Sequence, residues 1–152
     1  MRKLYEVKGT LMPCCSRSHI KHSFSVERDL PSLYIQLGYD RSPVSEEEAK
    51  RLVQACIEED TCAYSPHTAN RLMESWQQFK NITNFVTLSL DDCNGFRGAS
   101  HRGGDFLRIS VLRDSATEGY TEGPIPQGTV SVTLSVHFLI KDCPYHLVVE
   151  TD

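Results

Sequence analysis

The feature that most restricts how this chain can fold is the run Val130, Val132, Leu134, Val136, Phe138, Ile140, apolar at every second residue. A period of two places all six on one face of a strand and leaves the other face to water. The same period recurs along both ends of the chain. It appears in Tyr5, Val7 and Leu11, then in Ile20, His22, Phe24 and Val26, and in Leu33, Ile35, Leu37 and Tyr39. It returns with Val86, Leu88 and Leu90, with Leu107, Ile109 and Val111, and with Tyr145, Leu147 and Val149. The polar residues between them predict antiparallel sheets, each with one wet face.

The middle of the chain has a different period. Ser45-Glu46-Glu47-Glu48 is a capping box, and Ala49, Leu52, Val53, Cys56 and Ile57 follow at helical spacing. Ser65-Pro66 opens a second helix with a cap residue and proline at the first turn, and Ala69, Leu72, Met73, Trp76 and Phe79 supply its apolar stripe. The sequence therefore predicts a mainly β protein: an antiparallel, jelly-roll-like β-sandwich with an αα-hairpin inserted at about residues 45–80, as a single domain over residues 1–152.

Hydrophobic residues make up 39% and charged residues 24%, which excludes a disordered chain, and no apolar stretch approaches the ~20 residues of a membrane span. A net charge of −4 argues against nucleic acid as partner, and the local gathering of Arg97, Arg102 and Arg108 reads as ordinary solvated surface. Glu6 and Lys8 interrupt the N-terminal apolar residues, so no export signal is read there. The six cysteines are accordingly expected as reduced thiols in the cytoplasm.

Two clusters offer metal chemistry. Cys14, Cys15, His19 and His22 contain zinc-ligand types, but adjacent cysteines point apart and His22 is in phase with the buried face of its strand. Asp91, Asp92 and Asn94, in Asp-Asp-x-Asn-Gly, offer hard oxygens to calcium, though the later acidic ligand of an EF-hand loop is missing. The same residues also suit a strand-ending turn whose Asx side chains bond their own backbone. Arg97 suits either ligand recognition or a local use, bonding turn carbonyls or pairing with Asp91 or Asp92; the local use is favoured because a guanidinium beside carboxylates is usually satisfied there. Ser100 and His101 are neighbours without a nucleophile elbow, and are read as a polar loop. The ligand-binding candidates are thus Asp91, Asp92, Asn94, Arg97, His101 and Arg102, with no catalytic residue among them.

The second half of the chain carries a more specific pattern. Asn84 to Asp92 reads Asn-Phe-Val-Thr-Leu-Ser-Leu-Asp-Asp, Gly95 to Arg102 reads Gly-Phe-Arg-Gly-Ala-Ser-His-Arg, and Gly119-Tyr120 precedes Glu122-Gly123-Pro124-Ile125-Pro126 and Gly128. With Gly9-Thr10-Leu11, Phe24-Ser25-Val26 and Tyr39-Asp40, these elements resemble the N-terminal, non-catalytic β-sandwich domain of CehA/McbA-type metallohydrolases of the PHP superfamily. Bacterial pre-peptidase C-terminal domains are similar more distantly. The resemblance implies a module without catalysis of its own, since the family's His-x-His metal ligands belong to a domain that follows such a sandwich, and this sequence stops at Asp152. It implies an accessory or interaction role, with a PHP-type hydrolase or self-association as partner. A carbohydrate- or calcium-binding module and a truncated metal-dependent hydrolase are the alternatives.

Overall fold

The computed structural model describes residues 1–60, 63–101 and 103–152. The chain forms two compact units, Met1–Arg41 with Asn84–Asp152, and Ser42–Thr83.

The first unit holds eight strands: β1 (Arg2–Leu11), β2 (Ser18–Val26), β3 (Ser32–Tyr39), β4 (Phe85–Asp92), β5 (Gly95–Ser100), β6 (Phe106–Leu112), β7 (Gly128–Phe138) and β8 (Cys143–Thr151). They make two four-stranded antiparallel sheets, in the orders β1-β8-β3-β6 and β2-β7-β4-β5. The pairs β1–β8, β2–β7, β3–β6 and β4–β5 are those of one long hairpin, folded at the β4–β5 turn and rolled into two layers. That winding is a jelly roll.

The alternation decides which side chains meet between the layers. Leu33, Leu37 and Leu147 from one sheet and Val130, Val132, Leu134 and Leu90 from the other are fully buried. Each such side chain contributes about 1.5–3 kcal/mol by leaving water. Tyr5, Val7, Ile20, His22 and Phe24 point the same way but are only half-buried, because β1 and β2 are terminal strands of their sheets. β7 stops at Phe138, short of the Ile140 expected from the pattern. Two side chains capture the next backbone donors and turn the chain: Leu139 N–H donates to Ser16 Oγ (3.0 Å) and Ile140 N–H to Asn84 Oδ1 (2.8 Å).

β5 is an addition to the expected strands, since its residues read as turn and loop. The insert leaves between β3 and β4 without disturbing the sandwich, because its two stems are joined by an Asn84 N–H to Arg41 C=O bond of 2.6 Å. Asn84 is itself fully buried, and its Nδ2 donates to the Asp40 carbonyl (2.8 Å).

In the second unit, α1 (Glu46–Glu59) starts at Ser45, whose Oγ accepts from Glu48 N–H (3.2 Å), and Glu46 to Glu48 complement the helix dipole. α2 (Pro66–Glu74) starts at Ser65, with Pro66 in the first turn. It is shorter than its stripe suggested. Ser75 Oγ donates to the Arg71 carbonyl (2.8 Å), and a 3-10 turn over Trp76–Phe79 continues the chain. No helix among the described residues is long and apolar enough to cross a membrane.

Candidate functional site

Asp92 continues the inward phase of Leu88 and Leu90, which carries its carboxylate away from water: the side chain is 0% exposed. Asp91 keeps the outward phase of Thr87 and Ser89. An unpaired charge in Asp92's position would be prohibitive, and a β-bulge supplies the partner. Leu90 pairs with Gly98 but Asp91 pairs with Phe96, so Arg97 is the extra residue of β5. Its Nη1 donates to Asp92 Oδ2 (2.6 Å) and to the Pro124 carbonyl (3.1 Å), and its Nη2 donates to the carbonyls of Thr121 and Gly123 (3.0 Å each). All the donor capacity at the two terminal nitrogens is used. The other Asp92 oxygen accepts from Asn94 N–H (2.8 Å), which closes an Asx turn into Gly95.

Gly98, the residue after the bulge, has φ +141°, and a Cβ there would stand 2.3 Å from the Gly119 carbonyl oxygen. Only glycine lets the 119–123 segment approach this closely. Tyr120 then reaches across, its hydroxyl donating to the Leu88 carbonyl (2.8 Å). Burial pushes that phenol well above its ordinary range.

Of the six ligand candidates, the structure gathers Asp92, Arg97 and the backbone of Asn94 into one network. Asp91 projects from the opposite face of β4, so the two carboxylates that calcium would need do not converge, and the Asp92 oxygens are already occupied. His101 is exposed beyond the end of β5, while Ser100, expected in a loop, is the last residue of that strand. Arg102 lies outside the described residues. The zinc-type cluster is divided in the same way: His19 faces outward and bonds Ser135 Oγ (3.1 Å), whereas His22, three residues on, faces inward. No group of three or more metal-ligating His, Cys, Asp or Glu side chains occurs among the described residues.

The inward face of His22 reveals a cluster that sequence spacing did not assemble. Tyr5 Oη lies 3.1 Å from His22 Nδ1, and Tyr145 Oη lies 3.3 Å from His22 Nε2. Tyr5 also stacks on Phe24, with centroids 5.4 Å apart. A neutral imidazole donates at one nitrogen and accepts at the other, and each phenol can serve either role. Burial lowers the His22 pKa and, with a smaller contribution from Tyr5, raises that of Tyr145. The trio joins β1 and β8 of one sheet to β2 of the other. The inward phases of Tyr5, His22 and Tyr145 are the sequence signals for it, but partners 17 and 123 residues away from His22 are not brought together by spacing.

No family model matches the sequence, and neither does any curated protein. Among solved structures, a crystal structure from Sulfurospirillum deleyianum is similar at 9% identity and a TM-score of 0.33, covering 97% of this chain and 99% of that one.

Proposed function

We propose that the sandwich is a non-catalytic accessory module of a PHP-type metallohydrolase, acting in the cytoplasm by presenting a surface. One observation carries this reading. The elements that resemble the CehA/McbA-type sandwich domain, Gly95-Phe96-Arg97-Gly98, Gly119-Tyr120 and Gly123-Pro124, meet at a single buried ion pair and its carbonyl acceptors. A motif whose members bond backbone to backbone encodes a scaffold. A reaction centre would need its guanidinium or carboxylate directed at a substrate, and here Arg97 and Asp92 are directed at each other and at loop carbonyls.

The test is to mix the purified chain with the catalytic domain of a CehA/McbA-type hydrolase, following complex formation by light scattering and phosphoesterase turnover with and without chelator. A complex, with turnover confined to the hydrolase, supports the reading. Chelator-sensitive turnover by the chain alone would overturn it in favour of a hydrolase, and the absence of any complex would overturn the accessory role.

A second reading, a carbohydrate-binding module, is favoured by the outer face of the β2-β7-β4-β5 sheet. There Lys21, Thr133 and Ser89 share one cross-strand row, and His19 and Ser135 lie in the next. Such rows offer hydroxyl and cationic groups to sugar hydroxyls. A ligand that uses them must raise the melting temperature by mass action, so a flat thermal-shift screen against soluble oligosaccharides removes this reading.

A further inference from the structure

The outer face of the β2-β7-β4-β5 sheet sorts its polar side chains into two groups. Some satisfy one another: Ser23 Oγ lies 2.9 Å from Ser131 Oγ, His19 Nδ1 lies 3.1 Å from Ser135 Oγ, and Thr87 Oγ1 lies 2.8 Å from His137 Nε2. Between these pairs runs a second group that is left open. Lys21 stands opposite Thr133, Thr133 stands opposite Ser89, and Asp91 follows Ser89 on the same face of β4. None of these four side chains has a hydrogen-bond or ion-pair partner among the described residues. The bulge at Arg97 sets Phe96 directly opposite Asp91, so ring and carboxylate leave the sheet side by side, their β-carbons about 5 Å apart. Phe96 is 68% exposed. Lys21 and Asp91 lie two strands and one row apart, about 12 Å, too far to pair with each other.

We infer that this open group is the floor of a binding site for an acidic oligosaccharide, one that carries a carboxylate on a ring at one end. The inference rests on the carbohydrate reading and gives it a ligand class. Charge and hydrogen-bond complementarity select the occupant. The Asp91 carboxylate only accepts, so it calls for adjacent donors, such as the hydroxyls on neighbouring carbons of a sugar. The Thr133 and Ser89 hydroxyls both donate and accept, which matches further sugar hydroxyls. Lys21 only donates and is charged, so it calls for an anion at the far end of the ligand. The Phe96 ring offers an apolar surface to the carbon face of the sugar held by Asp91. A small anion would leave Asp91 without donors and be repelled by it, and a neutral sugar would leave Lys21 without its counter-charge. The ~12 Å between the two charges asks for more than one sugar ring.

Heteronuclear NMR titration of the full chain tests this. The probes are a short xylo-oligosaccharide capped by one glucuronate, the same oligosaccharide without the cap, and an aspartate–serine peptide. The capped sugar shifts the amides of Lys21, Thr133, Ser89 and Phe96, and binds about tenfold more tightly than the uncapped one, as one charge-assisted contact provides. Lys21→Ala abolishes that preference and leaves the affinity for the uncapped sugar unchanged. Phe96→Ala weakens both sugars alike. Both positions are exposed, and the amide spectrum of each variant verifies its fold. Equal affinity for the two sugars, a Lys21→Ala variant that keeps the preference, a Phe96→Ala variant that binds like the wild type, or a peptide that shifts the same amides as strongly would each overturn the inference. Each of these leaves the carbohydrate reading standing as long as a sugar binds. If neither sugar shifts any amide of this face, the inference and that reading fall together.

Discussion

The β5/β6 edge and the β1/β2 edge of the sandwich pose the same problem, a seam between two layers where strand backbone is unpaired. They close it with different chemistry. At β5/β6 the seal is backbone. The 115–123 segment bonds to β6 through Leu112 N–H to Ser115 C=O, Thr117 N–H to Ser110 C=O and Gly123 N–H to Leu112 C=O, all 2.8 Å. It bonds to β5 through Ala99 N–H to Gly119 C=O (3.1 Å) and Thr121 N–H to Arg97 C=O (2.7 Å). At β1/β2 the seal is made of side chains, with Tyr5, His22 and Tyr145 bridging the sheets. A backbone seal forms in one geometry and must be held there, which is what the Arg97–Asp92 pair does. A half-buried side-chain seal admits water and can titrate. The difference places most of the stability of the seams at one edge and the pH sensitivity at the other.

The largest effect is therefore expected from Arg97→Ala. It strands the Asp92 carboxylate at 0% exposure and releases three carbonyls, and breaking one partner of a buried pair costs about 3–5 kcal/mol. Urea denaturation measures the total. Hydrogen exchange locates it, with the Ala99 and Thr121 amides losing protection before those of β1. A loss under ~1 kcal/mol would show that the segment holds itself without the clamp. Gly98→Ala attacks the same edge by sterics. The left-handed φ alone costs about 1–3 kcal/mol, and the contact with the Gly119 carbonyl must also be relieved. The same amides should open. If β1 exchanges faster instead, the two edges are coupled and the division drawn between them fails.

The sequence's legibility followed the same line. Strands that alternate strictly, such as Leu33 to Tyr39 and Val130 to Val136, declare themselves because burial on one face demands period two. The helix caps at Ser45 and Ser65 were readable because capping is local. β5 was not, for a physical reason: its bulge puts Arg97 out of phase between two glycines, so the strand shows no alternation. The choice of partners for Arg97 was narrowed to nearby carboxylates and turn carbonyls. That Asp92 rather than Asp91 takes the guanidinium follows from the inward phase of Leu88 and Leu90. The 119–124 seal shows no alternation, since backbone amides and the Arg97 guanidinium hold it. The carboxylates of the Asp-Asp-x-Asn turn looked like one ligand set in sequence, and strand alternation separated them.

Smaller effects belong to the β1/β2 edge. Tyr145→Phe removes one hydroxyl from His22 and should cost about 0.5–1.5 kcal/mol in the urea midpoint, well below the Arg97 variant. A cost equal to that of Arg97→Ala would mean the side-chain seal is as demanding as the backbone one.

The finest test is pH. Burial holds the folded His22 pKa below the ordinary 6.5, so above pH 6.5 both folded and unfolded chains carry it neutral and no penalty arises. As pH falls below 6.5, the unfolded chain takes up a proton that the folded chain resists. Stability then declines until the lower folded value is passed, where it levels off. His22→Gln removes this contribution, and its urea midpoint should fall less steeply than the wild type's between about pH 7.5 and pH 5.5 (a window set by about one unit on either side of a histidine's ordinary value). Gly98→Ala, which attacks the other edge without stranding a charge, should be weaker at every pH but keep the wild-type slope. Were His22→Gln to retain that slope and Gly98→Ala to lose it, the titrating edge would be the one sealed by backbone, and the contrast between the two seams would be reversed.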